Sequence, residues 1–369
     1  VTELLESGEI PSAAAAIVIG DEVVWAKGYG DQASLDTVFM VGSIDKTFIV
    51  TAVLQLAEEG LIELDQDINA YLPFAVRHPT YPDTAVTVEH LMMHRSGLIG
   101  DLPTATWYDN VRAAVEWASA TRASDTSENP YPEGRPPLDE YLASYFGGEG
   151  NPDLWIFEPG TDWRYSNLAT HWLLGYIVER VSGQSLATYV TDRILAPLGM
   201  TNTSFEASDF AMDRLAVPYT RLEGVNTPLP LTGQAASGPL RSTAPDLARF
   251  LAVHMNDGRL GDAEILSAES AQAMHAVQHP IEGVDWGQLR FRGAGYGWWL
   301  WTEGRSGHGG STPGFQAKMV MQETDAGIVG VVVMINVGCS LSCDRLWNDT
   351  HFVPLRELLL AEARSMLAG

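Results

Sequence analysis

Residues 43–60 read Ser-Ile-Asp-Lys-Thr-Phe-Ile-Val-Thr-Ala-Val-Leu-Gln-Leu-Ala-Glu-Glu-Gly. Phe48, Ile49, Ala52, Val53, Leu56 and Ala57 recur at helical spacing, and Gly60 stops the run. Upstream the period changes. Residues 2–7 read as a short helix, 13–19 are small and apolar, Gly20-Asp21 is a turn, 22–28 alternate, and 36–40 read as extended. Downstream come helical stretches at 88–94, 167–181, 185–195 and 245–256, then strand-like runs at 296–301, 317–322 and 328–335, then a last helix at 353–366. Residues 100–160 are irregular and rich in Trp and Tyr, which predicts a partly helical cover. Strands at both ends with helices between them predict an α/β (α+β) chain with one sheet built from distant segments. The expected division is residues 1–65 with 224–369 as the sheet domain and 66–223 as a mainly helical insertion. A cleft between the two is the expected substrate site.

The composition is globular: 46% of the 369 residues are hydrophobic. The length suits two to three structural units, or one enzyme body with an inserted lobe. The apolar run 327–338 is too short to cross a bilayer. The chain opens on Val1 with no signal-peptide pattern, and an exported protein, periplasmic or extracellular, is expected over a cytoplasmic one. With 47 acidic residues against 22 Lys plus Arg, the net charge is −25. No basic surface for nucleic acid is expected from this balance, and an anionic membrane would repel it. The three lysines are Lys27, Lys46 and Lys318. Two readings of the acidity stay open: adaptation to high salt, or the residue usage of a GC-rich genome. Cys339 and Cys343 can close a small disulfide in an oxidising compartment or stay reduced.

Three short motifs carry chemistry. Ser43 and Lys46 share one face at the start of a helix, so hydroxyl and amine can meet. A Ser hydroxyl needs a base to become a nucleophile, and burial favours the neutral amine. The helix start adds N–H groups for an oxyanion. Tyr165-Ser166-Asn167 supplies a second proton carrier, because a phenol beside a cation ionises more readily, and an amide in Asn167 to hold Lys46 and a substrate carbonyl. His308-Gly309-Gly310-Ser311 brings backbone close to substrate. The Ser311 N–H can complete an oxyanion hole with that of Ser43, and His308 can donate to substrate or to the tyrosine. Competing constellations fail. No Gly-x-Ser-x-Gly elbow is present, and His90 and His94 have the spacing of a zinc pair without a third ligand placed by sequence. No metal or cofactor is expected.

Chance produces a lone Ser-x-x-Lys in roughly one such sequence in five. The order Ser-x-x-Lys, Tyr-x-Asn, His-x-Gly is far more specific, and here the chain resembles the serine β-lactamase and penicillin-binding protein superfamily, in its class C-like branch. Leu91-Met92-Met93-His94-Arg95-Ser96-Gly97-Leu98 and the segments 157–160, 198–200, 242–250 and 308–315 resemble that branch too. The resemblance implies an antiparallel sheet flanked by helices with a helical insertion. It also implies Ser43 as acylated nucleophile, Lys46 as its proton partner, Tyr165 as general base and acid, and Asn167 and His308 as substrate groups. Gly309, Gly310 and Ser311 line the oxyanion side. Two positions depart from the family. Asp45 stands where a small Ser or Thr is usual and is expected to point away from Lys46, because facing it would favour the charged amine. His308 replaces the Lys of β-lactam specialists, which favours esters or peptides over penicillins. The expected activity is therefore a carboxylesterase. The alternatives are a D-amino-acid peptidase or DD-carboxypeptidase, a weak β-lactamase, or a silent recognition protein. The expected partner is a small ester, peptide or lactam. Oligomeric state is not read from sequence.

Overall fold

A computed structural model describes residues 1–30, 33–100, 138–146, 151–222, 225–229, 240–281, 285–286, 289–338 and 352–368. The fold grows from the apolar run at the chain's far end. Strand β7 (Gly327–Ile335) lies between β1 (Ser12–Ile19) and β6 (Phe315–Thr324), antiparallel to both, with Ile335 opposite Ala13 on one side and Gln316 on the other. Beyond β1 lies β2 (Glu22–Gly30), and beyond β6 lie β5 (Arg305–Thr312), β4 (Trp299–Trp301) and β3 (Leu289–Ala294). Among the described residues this sheet has nine strands, the last two being short segments, His279–Pro280 and Asp285–Trp286, that pair with β3.

Both faces of the sheet are covered, which is why β1 and β7 are apolar throughout rather than alternating. Ala14, Ala16, Val18, Val332 and Met334 share a cluster with Phe48 and Leu56 of α2 (Asp45–Glu58) and with Phe250 of α3 (Ala244–Met255). The Phe48 and Phe250 rings stack 3.6 Å apart, locking the two helices together. Their neighbours Ala13, Ala15, Ile17, Val331 and Val333 face the other way. They pack on Leu5 of α1 (Thr2–Ser7) and Leu355, Leu359 and Leu360 of the terminal helix α4 (Val353–Ala368). Gly330 in β7 has no side chain because Leu251 and Met255 of α3 occupy the space a Cβ would need.

Short helices fill the described part of the middle of the chain: Val88–Met92, Leu138–Phe146, Gly175–Ser182 and Leu186–Val190. The expected helix at 167–181 begins as a π-helical turn, Leu168–Leu174, before tightening at Gly175. The glycine-rich stretch read from sequence as a strand edge or loop is an interior strand, β5, paired along its length with β6 and at its start with β4. Glycines carry no strand signal, so only the neighbouring strands reveal it. The aromatic cover expected at 100–160 falls mostly outside the described residues, as do Cys339 and Cys343. No described helix is long and apolar enough to cross a membrane.

Candidate active site

Ser43 sits in a single tight turn, Gly42–Ile44, that runs straight into α2. This puts Lys46 one helical turn further on, and its Nζ donates to Ser43 Oγ at 3.1 Å. Ser43 is half-buried, while Lys46 is 3% exposed. Strand β5 closes on this turn from the sheet side. Gly42 has φ +56°, and a Cβ there would fall 2.7 Å from the Ser311 nitrogen. A Cβ on Gly310 would overlap the Val41 carbonyl oxygen. Two residues without side chains thus let the Ser311 N–H approach the turn that carries Ser43, as an oxyanion hole requires.

Tyr165 arrives from a segment pinned to residues 94–100. Arg164 N donates to His94 O (2.9 Å), Ser166 N to His94 Nδ1 (3.2 Å), Ser166 Oγ to Ile99 O (2.6 Å) and Asn167 N to Gly100 O (2.7 Å). Lys46 Nζ lies 5.6 Å from the centre of the Tyr165 ring. The Tyr165 hydroxyl is buried, with no protein partner among the described residues. His94 holds the back of this ring, 4.4 Å away, from a left-handed backbone conformation of φ +59°. His94 was legible only as part of a family segment and as half of a zinc-spaced pair. Its Nδ1 is committed to Ser166 and Thr170, and His90 Nδ1 accepts from Thr87 N within the cap of its own helix. Among the described residues no three His, Cys, Asp or Glu side chains cluster as metal ligands do.

His308 stands on β5 with its ring 6.3 Å from that of Tyr165 and 4.6 Å from that of Trp299. It is fully buried, and that burial, followed by the positive charge of Lys46, pushes its imidazole down to about 3. It is therefore neutral at ordinary pH. Nδ1 lies 2.8 Å from Gly309 O, so Nδ1 carries the proton and Nε2, which has no protein partner among the described residues, is an acceptor. The expected donor role is corrected by this: Nε2 can take a proton or a hydrogen bond, and it offers no positive charge.

The sharpest departure from expectation is Asp45. It is 1% exposed and faces Lys46 rather than turning away, with Oδ1 3.6 Å from Lys46 Nζ. Oδ2 is 2.9 Å from His171 Nδ1, which the π-helical turn after Asn167 swings inward. Burial opposes the charge on this carboxyl, but Lys46 and His171 outweigh it and hold the group down at about 2. A carboxylate sealed from water must turn to whatever cations are near, and sequence spacing alone misses this. Next to Tyr165 lies an apolar cluster: Phe291, Trp299 and Trp301 with Ile281 and Ala294, and Trp163 and Tyr165 pack against it.

Ser43, Lys46, Tyr165 and His308 thus meet beside strand β5, with Asn167 two residues from Tyr165 and Gly310 and Ser311 against the nucleophile's turn. A sheet of this build over such a helix-borne Ser-x-x-Lys defines the penicillin-recognising class of folds. The family model described as Beta-lactamase matches residues 1–338, and the chain belongs to that family. It is 28% identical over 316 residues to Penicillin-binding protein 4 of Amycolatopsis lactamdurans, covering 81% of this chain and 74% of that one. It is 29% identical over 232 residues to Protein flp of Staphylococcus aureus, covering 61% of this chain and only 40% of that longer protein. Among solved structures, an octameric penicillin-binding protein homologue from Pyrococcus abyssi superposes with TM-score 0.73 at 25% identity, covering 97% of this chain and 75% of that one. D-amino acid amidase from Ochrobactrum anthropi shares the fold, with TM-score 0.69 at 21% identity over 98% of this chain and 97% of that one.

Proposed function

We propose that the protein is a serine hydrolase that works through an acyl-enzyme on Ser43, with carboxylic esters carrying an apolar group as its substrates. The observation that carries this reading is the 3.1 Å contact between Lys46 Nζ and Ser43 Oγ, at a turn that the Ser311 N–H also approaches. Ser43 Oγ attacks the ester carbonyl. The N–H groups of Ser43 and Ser311 receive the oxyanion, the alcohol leaves with a proton from Tyr165, and water then releases the acid. Two features favour esters over penicillins. His308 is neutral, so β5 offers no fixed cation there for a substrate carboxylate. The apolar cluster of Phe291, Trp299, Trp301 and Trp163 beside Tyr165 suits an aromatic or long acyl or alcohol group.

A second reading, an amidase or peptidase acting on D-amino-acid derivatives, draws on the likeness to D-amino acid amidase, which is one of fold alone. A substrate panel separates the two. Activated aryl esters, D-amino-acid amides and a chromogenic penicillin are compared by kcat/KM. The ester reading expects the aryl esters to lead and Ser43→Ala to lose about 10⁴-fold or more of that activity. Amide turnover ahead of ester turnover would move the assignment to the second reading. Ester turnover that survives in Ser43→Ala would remove both.

A further inference from the structure

The contact between Asp45 and Lys46 bears on which group takes the proton from Ser43. We infer that Asp45, held in place by His171, is a positioning residue that keeps Lys46 as an ammonium ion, so that Lys46 donates to Ser43 Oγ and Tyr165 alone is the base. This rests on the acyl-enzyme reading for its consequence in turnover, but not for the pairing itself.

Groups from several elements of the fold lie around Lys46. Ser43 and Asp45 belong to its own helix and the turn before it. Tyr165 faces it across 5.6 Å. His94, behind Tyr165, and His308, on β5, both feel its charge, and each is driven neutral by burial first and by Lys46 second. His171 comes from the π-helical turn and touches Asp45 on the side away from Lys46. Of these groups, two imidazoles are neutral and one carboxylate is fully buried and ionised. A buried anion 3.6 Å from an amine favours the protonated amine, and removing the amine's charge would leave that anion poorly compensated.

The chemistry then balances without a neutral lysine. Tyr165 Oη takes the Ser43 proton as it passes its own proton toward the leaving oxygen, while the Oγ electron pair forms the bond to the carbonyl carbon. The C=O pair moves onto the oxygen facing the two N–H groups. When the C–O bond to the leaving alcohol breaks, its electron pair stays on that oxygen, which carries off the proton delivered by Tyr165 Oη, and the phenol that received the Ser43 proton is left as it began. The small residue usual in the family at position 45 exerts no such charge. The Asp45–His171 pair therefore marks this chain as one committed to a charged lysine.

Because the chain has only three lysines, the claim can be read directly. Protein labelled with ¹³C at lysine Cε is titrated by NMR from neutral to alkaline pH, and the Lys46 signal is identified by its loss in Lys46→Arg. In wild type the Lys46 signal is expected to stay that of an ammonium through neutral pH. In Asp45→Asn, and in Asp45→Ser as a second variant, its midpoint is expected to fall by about one to three pH units, with Lys27 and Lys318 unmoved. The alkaline limb of the kcat/KM profile for ester hydrolysis should move the same way. A Lys46 signal of free amine at neutral pH in wild type, or an unmoved midpoint in a folded Asp45 variant, overturns the inference. A wild type with no ester turnover would instead sink the acyl-enzyme reading, because the NMR titration needs no substrate.

Discussion

Two groups of imidazoles, one packed on Trp298 and one gathered around Lys46 and Asp45, behave differently. In the core, His275 Nε2 lies 3.4 Å from His254 Nδ1, His275 Nδ1 lies 2.8 Å from Ser306 Oγ, and both rings pack on Trp298 at 4.5 and 5.0 Å. Burial alone pushes His254 down to about 3, and burial followed by its neighbour pushes His275 well down too. That pair is silent: neutral and packed. Around Lys46 and Asp45, His94 and His308 are buried, and the half-buried His171 touches the carboxylate. His94 and His308 are desolvated like the core pair, but Lys46 and Asp45 keep their charges because each faces the other. Burial removes charge from a lone group and concentrates it in a pair, and the pair sits where Ser43 needs a field.

The comparison can be broken most severely at Gly310. Gly310→Ala would force β5 away from Val41 and carry the Ser311 N–H with it, and it should cost about 10²–10³-fold in kcat for ester hydrolysis. Circular dichroism should still report a folded sheet. Activity within a few-fold of wild type would mean that Ser311 takes no part in binding the oxyanion.

The silent pair makes a prediction about acid. The folded His254 and His275 bind protons less readily than a free imidazole at 6.5, so the unfolded chain takes up more protons below that value. Their contribution is therefore complete above pH 6.5 and drains away as the pH falls below it, for His254 until about 3, at about 1.4 kcal/mol per pH unit. Urea midpoints should drop steeply between pH 7 and pH 5. The double variant His254→Phe with His275→Asn should flatten that slope. Asp45 is held low, so its contribution is lost only as the pH falls from 3.8 toward about 2 and cannot mimic this window. An unchanged slope in the double variant would assign the acid lability elsewhere.

The smallest effect belongs to a charged pair in water. Arg259 and Glu264 meet at 2.7 Å on the surface, at 64% and 47% side-chain exposure. Arg259→Ala should change stability by less than about 1 kcal/mol at any pH, since exposed pairs are screened and cost side-chain entropy. A larger loss would show that exposure is not what separates the three sites.

Much of this was readable from the sequence, for reasons that differ by element. Helix α2 declared itself through Phe48, Ile49, Ala52, Val53 and Leu56, because one periodic apolar face is a local property. Strand β7 did so through an unbroken apolar run. Strand β5 did not, since Gly307, Gly309 and Gly310 mark close backbone approach rather than strand preference. Ser43 and Lys46 were legible as one turn of one helix. Tyr165 and His308 were legible only by resemblance, because nothing local ties a Tyr to a Lys so far away in the chain. Asp45 was misread for a physical reason. Adjacent residues on a helix point about 100° apart, so spacing sets them on different faces, but a carboxylate denied water bends to the nearest cation. His171 carried no sequence signal at all. Its role depends on a π-helical turn that shifts the register of the helix after Asn167.

The account turns on Ser43 becoming acylated. Incubating the protein with an aryl ester or a fluorophosphonate, quenching, and mapping peptides by mass tests this most directly. The account predicts one adduct, on the peptide that contains Ser43, absent in Ser43→Ala and formed more slowly in Tyr165→Phe. An adduct on any other residue, or none from either reagent on the folded protein, would contradict it.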